Sequence, residues 1–179
     1  MEYIWNKRPE ISENVFNIIF LSIVNIRIME YKVIIPEENY LIIEFIQEDL
    51  PGIASVNISL KDFEPKLVFT WHLSIMIQLE KLINNGMPAP EEVELIDRFE
   101  KKLDKIFKGF DSKKPNAIFL ARVTWNNRIE LIWRVFDAEL ANNEIQNIIN
   151  KKKHPRPFDY RIDPDDEWKL TDWYLNNNK

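Results

Sequence analysis

The sequence predicts an α+β protein: a ferredoxin-like βαββαβ core with extra N-terminal β-strands and a short C-terminal helix. Three observations carry this. Apolar and polar residues alternate through 53–60 and 67–77. Apolar residues recur at helical spacing through 91–108 and 138–152. From Leu67 on the elements run strand, helix, strand, strand, helix, strand, which is two split β-α-β units in series.

The bounds agree with one globular domain over 29–179, preceded by an extension, 1–28, of open status. The chain has 179 residues, 45% of them hydrophobic and 30% charged, with a net charge of −5. A sequence-nonspecific nucleic-acid binder needs a basic surface to neutralise phosphates, and this balance argues against one. The absence of Cys removes a disulfide framework, a thiolate nucleophile and a Cys-based zinc site. The apolar stretch Val15 to Val24 has about ten residues where a membrane span needs about twenty. Glu2, Glu10 and Glu13 precede it, which is not the basic leader of a signal peptide. A buried helix or strand is expected there, with a cytoplasmic location and no membrane partner. The triplet Met-Glu-Tyr occurs at Met1 and again at Met29, so a start at Met29 stays open.

Each element has its own signal. Tyr31 to Ile35 reads as a strand and Pro36 to Asn39 as its turn. Tyr40 to Gln47 is β-rich, and Asp49 to Gly52 breaks it. In 53–60, Ala54, Val56, Ile58 and Leu60 share one face, opposite Ser55, Asn57 and Ser59. After a loop around Pro65, 67–77 reads as a longer strand. Its faces are Leu67, Phe69, Trp71, Leu73 and Ile75 against Val68, Thr70, His72, Ser74 and Met76. Because the first strand of the core must be flanked on both sides, 53–60 cannot pair with it. The N-terminal strands must extend an edge or cover the open face.

Gly86, Pro88 and Pro90 then change the period. Residues 91–108 place Val93, Ile96, Phe99, Leu103, Ile106 and Phe107 on one helical face. Glu91, Glu92 and Glu94 open that helix and Lys105 and Lys108 close it, as the helix dipole favours, with Gly109 as stop. Strands 117–125 and 128–136 flank Asn126-Asn127, a tight hairpin turn. One hairpin face is Ile118, Leu120, Arg122, Ile129, Leu131, Trp133 and Val135. The other holds Phe119, Val123, Trp125, Arg128, Glu130 and Arg134. A second helix covers 138–152, stopped by Pro155, and 158–162 is the last strand. Asp163 reads as an N-cap with Pro164 at the first helical position, so Asp165, Asp166 and Glu167 fill a first turn. Trp168 and Trp173 then dock a terminal helix.

Two stretches carry a resemblance. Ala121 to Asp137, "ARVTWNNRIELIWRVFD", resembles the central hairpin of the domain of unknown function number 695. Ile162 to Trp168, "IDPDDEW", resembles that family's closing Asp-Pro…Trp element. The order of elements from Met29 to Leu175 fits; Trp133 departs from the pattern, and the first 28 residues have no counterpart. The family is similar in architecture to RraB-type regulators of ribonuclease E, which are protein-binding inhibitors. The resemblance implies no catalytic residue.

The residues offer few catalytic constellations. His72 and Ser74 share a strand face, but neighbours along one face lie about 7 Å apart, beyond a direct hydrogen bond. The basic run Lys151 to His154 suits a helix C-terminus. The three Gly residues are scattered, so no phosphate loop is expected, and no metal or cofactor is implied. Arg and Trp are enriched in interface hot spots. The face with Arg134, Trp125, Arg128, Glu130 and Phe119 is therefore the best candidate binding surface, unless the N-terminal strands cover it. The expectation is a non-enzymatic protein-interaction or regulatory module, of inhibitor or immunity type, with a protein partner and a homodimer left open. The alternative is a small-molecule-binding protein or hydrolase with a pocket near His72.

Overall fold

The computed structural model describes residues 33–111 and 113–176. The apolar stretch 15–24, the second Met-Glu-Tyr and the start of the strand expected at 31–35 lie outside them. In chain order the described elements are β1 (Tyr40–Gln47), β2 (Leu50–Asn57), β3 (Trp71–Gln78), α1 (Pro90–Lys108), β4 (Ala117–Trp125), β5 (Arg128–Val135), α2 (Ala138–Asn150), β6 (Phe158–Pro164) and the short α3 (Asp172–Asn176). All six strands form one sheet in the order β1-β2-β4-β5-β3-β6, and every neighbouring pair is antiparallel. No helix among the described residues is long and apolar enough to cross a membrane.

The strand order resolves the choice posed by the sequence. β3 lies between β5 and β6, so it is flanked on both sides. β2 joins the sheet beside β4, and β1 extends it to the edge. The alternation expected over 53–60 begins earlier, at Leu50, and gives way to a 3-10 turn at Ile58–Leu60. The long strand expected from Leu67 begins only at Trp71, because Lys66–Val68 is another 3-10 turn. Residues 33–39 form no strand.

The two helices cover one face of the sheet. Leu73, Ile75 and Ile77 of β3, Ile129, Leu131, Trp133 and Val135 of β5, and Ala117 and Phe119 of β4 meet Ile96, Phe99, Leu103 and Phe107 of α1. Ala141, Ile145 and Ile148 of α2 complete this core. Trp133 sits at its centre, edge-on to Phe107 and Phe119 at 5.1 Å from each. Its indole N–H donates to Asp104 at 3.1 Å, as a buried Trp donor requires. The α2 N-cap is Asp137, whose carboxylate accepts the Leu140 N–H at 3.0 Å.

The hairpin turn is as expected. Asn126 and Asn127 have φ of 46° and 61°, which is what a two-residue turn joining twisted strands needs. Trp125 faces Arg128 and Thr124 faces Ile129. Further along, a bulge between Phe119 and Ala121 shifts the register. One extra residue reverses the side-chain alternation beyond it. Phe119 therefore joins the helix-side core opposite Trp133, and Ile118 lies opposite Arg134. This corrects the face assigned to Ile118 and Phe119.

The closing element also departs from expectation. Asp163 and Pro164 remain in β6, opposite His72 and Trp71. Proline is tolerated because β6 is an edge strand. The chain then turns through Trp168, which holds a left-handed φ of 58°, before a 3-10 turn at Lys169–Thr171 and α3. Asp163 caps no helix.

Candidate functional site

The sheet face away from the helices contains two distinct arrangements. One is a buried polar knot. Arg134 in β5 is fully buried. Its Nη1 donates to Asp165 Oδ2 at 2.7 Å, its Nη2 to the Asp165 carbonyl at 2.6 Å and to the Phe69 carbonyl at 3.0 Å, and its Nε to the latter at 3.3 Å. Asp165 is itself fixed, its two carboxylate oxygens accepting the N–H groups of Lys169 and Leu170. Trp168 caps the arrangement. The guanidinium lies 4.6 Å from its ring centroid, and its indole N–H donates to the carbonyls of Phe69 and Lys66. Phe63 packs against both Phe69 and Trp168. Burial lowers the Arg134 pKa to about 10 against the pull of Asp165, which leaves it charged at neutral pH.

His72 lies opposite Arg134 on β3 and is only 1% exposed. Its Nδ1 has no hydrogen-bond partner among the described residues. Burial, with the Arg134 and Arg161 charges, pushes its pKa down to about 4, so the ring is neutral at pH 7. The buried hydroxyl of Ser74 donates to Glu130 rather than to His72. A general base must reach its substrate, and neither residue is open to one here. No group of three or more His, Cys, Asp or Glu suited to a metal ion occurs among the described residues.

The second arrangement is open. Strand pairing aligns Phe45, Gly52, Trp125, Arg128 and Gln78 in one row across five strands. In the next row Glu130 stands opposite Met76. Phe45 lays its ring over Gly52, where a Cβ would collide with it. Trp173 meets that ring edge-on at 5.5 Å. Trp125 is half-buried, and its indole N–H donates to the Gln47 carbonyl at 3.1 Å. Arg128 is exposed, and Met76 and Trp173 are 36% and 41% exposed.

The six sequence candidates thus separate. Trp125, Arg128 and Glu130 share the open stretch near the hairpin turn. Arg134 and His72 are buried in the knot, and Phe119 is in the helix-side core. Among the described residues, the chain segments that cover the knot are 60–69 and 165–175 rather than β1 and β2. Phe45 was missed and Trp173 was read only as docking the terminal helix, because nothing in their local spacing announces a contact across the sheet. Asp165 and Trp168 were noticed in "DPDDEW" but read as helix-forming residues.

A cavity of about 460 Å³ lies between the end of α1 and the β4 bulge. Leu60, Ile118 and Phe119 line it, and Lys108 bridges Glu38 and Asp104 at its border.

These features define an α+β protein with a buried ion-pair knot and an aromatic, partly open sheet face. The chain belongs to a family of unknown function, DUF695, whose model matches residues 45–175. No curated protein and no solved structure matches it significantly.

Proposed function

We propose that this chain is a non-enzymatic protein-interaction module, regulatory or inhibitory in role, that engages a protein partner through the open stretch around Trp125 and Arg128. The observation that carries this reading is the row itself. A rigid sheet presents Phe45, Trp125 and Arg128 side by side, with Met76 and Trp173 adjoining and exposed. Aromatic residues, Met and Arg are the types enriched in protein interfaces. Five strands fix their spacing, so little side-chain ordering remains to oppose binding. We read β3 to β6 as a ferredoxin-like unit, because its first strand lies between its third and fourth. A cytoplasmic location belongs to the same reading. The alternative at His72 finds no support in a side chain 1% exposed.

The test is quantitative affinity capture with the full chain beside Trp125→Ala and Arg128→Glu, each checked for folding by circular dichroism. Loss of one stoichiometric protein partner from both variants is the expected result. Folded variants that retain every specific partner would refute this surface. Arg134→Ala is not a usable probe, since its effect would be on the fold.

A further inference from the structure

We infer that the helix-side face of β1 and β2 is a docking strip for a cationic amphipathic helix of another protein. Two described helices cover the four strands β4, β5, β3 and β6. Phe99 of α1 reaches Phe158 of β6, and Phe107 of α1 meets Trp133 of β5. α2 bonds to Tyr160 of β6 through Asn142 and Gln146. The sheet thus carries about one helix for every two strands, and β1 with β2 makes a third pair.

On that pair the apolar side chains stand open. Ile46 is 80% exposed, Ile42 58%, Tyr40 40% and Ile53 37%. A run of Ile facing outward on a sheet edge is a recognition surface or a liability. Two strands span about 10 Å, which is the diameter of one helix. The 8 residues of β1 extend about 26 Å, the length of roughly 17 helical residues.

The borders select the charge of the occupant. Asp97, Glu100 and Asp104 line the edge of α1 that faces the strip, with Glu38 and Glu44 from the strand side. Two cations, Arg122 and Lys108, pair with four of these carboxylates, so the ion pairs carry two negative charges more than positive ones. Both cations are already divided. Arg122 is held between Asp97 and Glu100, and Lys108 between Glu38 and Asp104. Burial, together with Asp97 and Asp104, keeps the Glu100 carboxyl above its ordinary range even beside Arg122. A second copy of the chain would bring an acidic border against an acidic border, and anionic lipid would be repelled. Leu or Ile on one helix face and Lys or Arg on its flank fit both features.

The probe is a synthetic helix of about 18 residues made of Leu and Lys, with every Leu on one face, titrated by fluorescence anisotropy against the full chain. Its controls are the same composition scrambled and a Leu/Glu counterpart. Binding of the Leu/Lys helix alone is expected, weakened at least tenfold by Ile42→Ser with Ile53→Ser, and weakened by added salt. Hydrogen exchange should show protection on β1 and β2. Arg128→Glu should leave this binding within twofold, which separates the strip from the surface around Trp125. Equal binding of the scrambled peptide, or full binding by the folded Ile variant, would overturn the proposal. So would a concentration-dependent dimer abolished by that variant, because a second copy would then be the occupant.

Discussion

Arg134 and Asp165, 31 positions apart, are tied by an ion pair of 2.7 Å in which the guanidinium has no exposure to solvent. The pair decides the course of the chain after β6. A buried guanidinium needs a counter-ion and hydrogen-bond acceptors for its N–H groups. Asp165 provides both through its carboxylate and its carbonyl. Holding it there draws Trp168 across the knot in a left-handed conformation that L-residues resist by about 1–2 kcal/mol. Removing one partner leaves the other charged and buried. Arg134→Ala is expected to cost about 3–5 kcal/mol, measured by urea unfolding. A double-mutant cycle with Asp165→Asn should show a penalty well below the sum of the single changes.

His72 makes stability depend on pH. The unfolded chain takes up a proton near the ordinary imidazole value of 6.5, whereas the folded chain does so only near 4. The contribution from keeping the ring neutral is complete above pH 6.5 and is lost as pH falls from 6.5 to 4. The groups acting on the ring are Arg134 on β5, Arg161 and Asp163 on β6, and Asp165 beyond it. At 1.36 kcal/mol per pH unit the loss is about 3 kcal/mol. His72→Leu should remove this component, so the difference in unfolding free energy between the two proteins should move toward the variant by about that amount between pH 7.5 and pH 4.

Glu92 gives a third prediction. Its side chain is fully buried and bound in a fork by Arg156, with two contacts of 2.8 Å. It also accepts the Glu80 N–H at 3.2 Å. The start of α1, the end of β3 and the loop before β6 are thereby joined at one carboxylate. Hydrogen bonds from Arg156 hold that carboxyl below its usual range. Lysine cannot reproduce the fork. Arg156→Lys should therefore lower stability by about 1–3 kcal/mol, and Glu92→Ala should lower it further, both measured by denaturant midpoint.

Gly52 tests the aromatic row. Any larger residue there must displace Phe45 from its seat and from Trp173. Gly52→Ala should cost about 1–3 kcal/mol through this overlap and shift the Trp emission. Phe45→Leu in the same chain should recover part of the loss, since the ring is what the new methyl meets.

Much of this fold is legible in local sequence. Period-two alternation located the hairpin strands, and paired Asn residues located its turn. Helical spacing and Gly109 bounded α1. What escaped depends on contacts distant in sequence. A bulge leaves no mark in the alternation around Phe119, which therefore went to the wrong face. Asp163-Pro164 carries every local sign of a helix start, yet cross-strand pairing with His72 and Trp71 prevails over capping. Arg134 reads as a surface residue in "IWRVF" until the acceptors from Phe69 and Asp165 arrive to enclose it. Of the candidate site, Trp125, Arg128 and Glu130 were legible because a two-residue turn fixes their register.

The counter-ion that completes the knot is synthesised 31 residues after the arginine it neutralises. While the ribosome is still translating 135–164, the Arg134 charge has no partner in Asp165, and β3 still lacks β6 on one side. Full native packing is thus withheld until residues 165–168 have emerged from the exit tunnel. A chain cut short before that point would leave β3 with an unpaired edge in place of β6 and a buried guanidinium without its counter-ion.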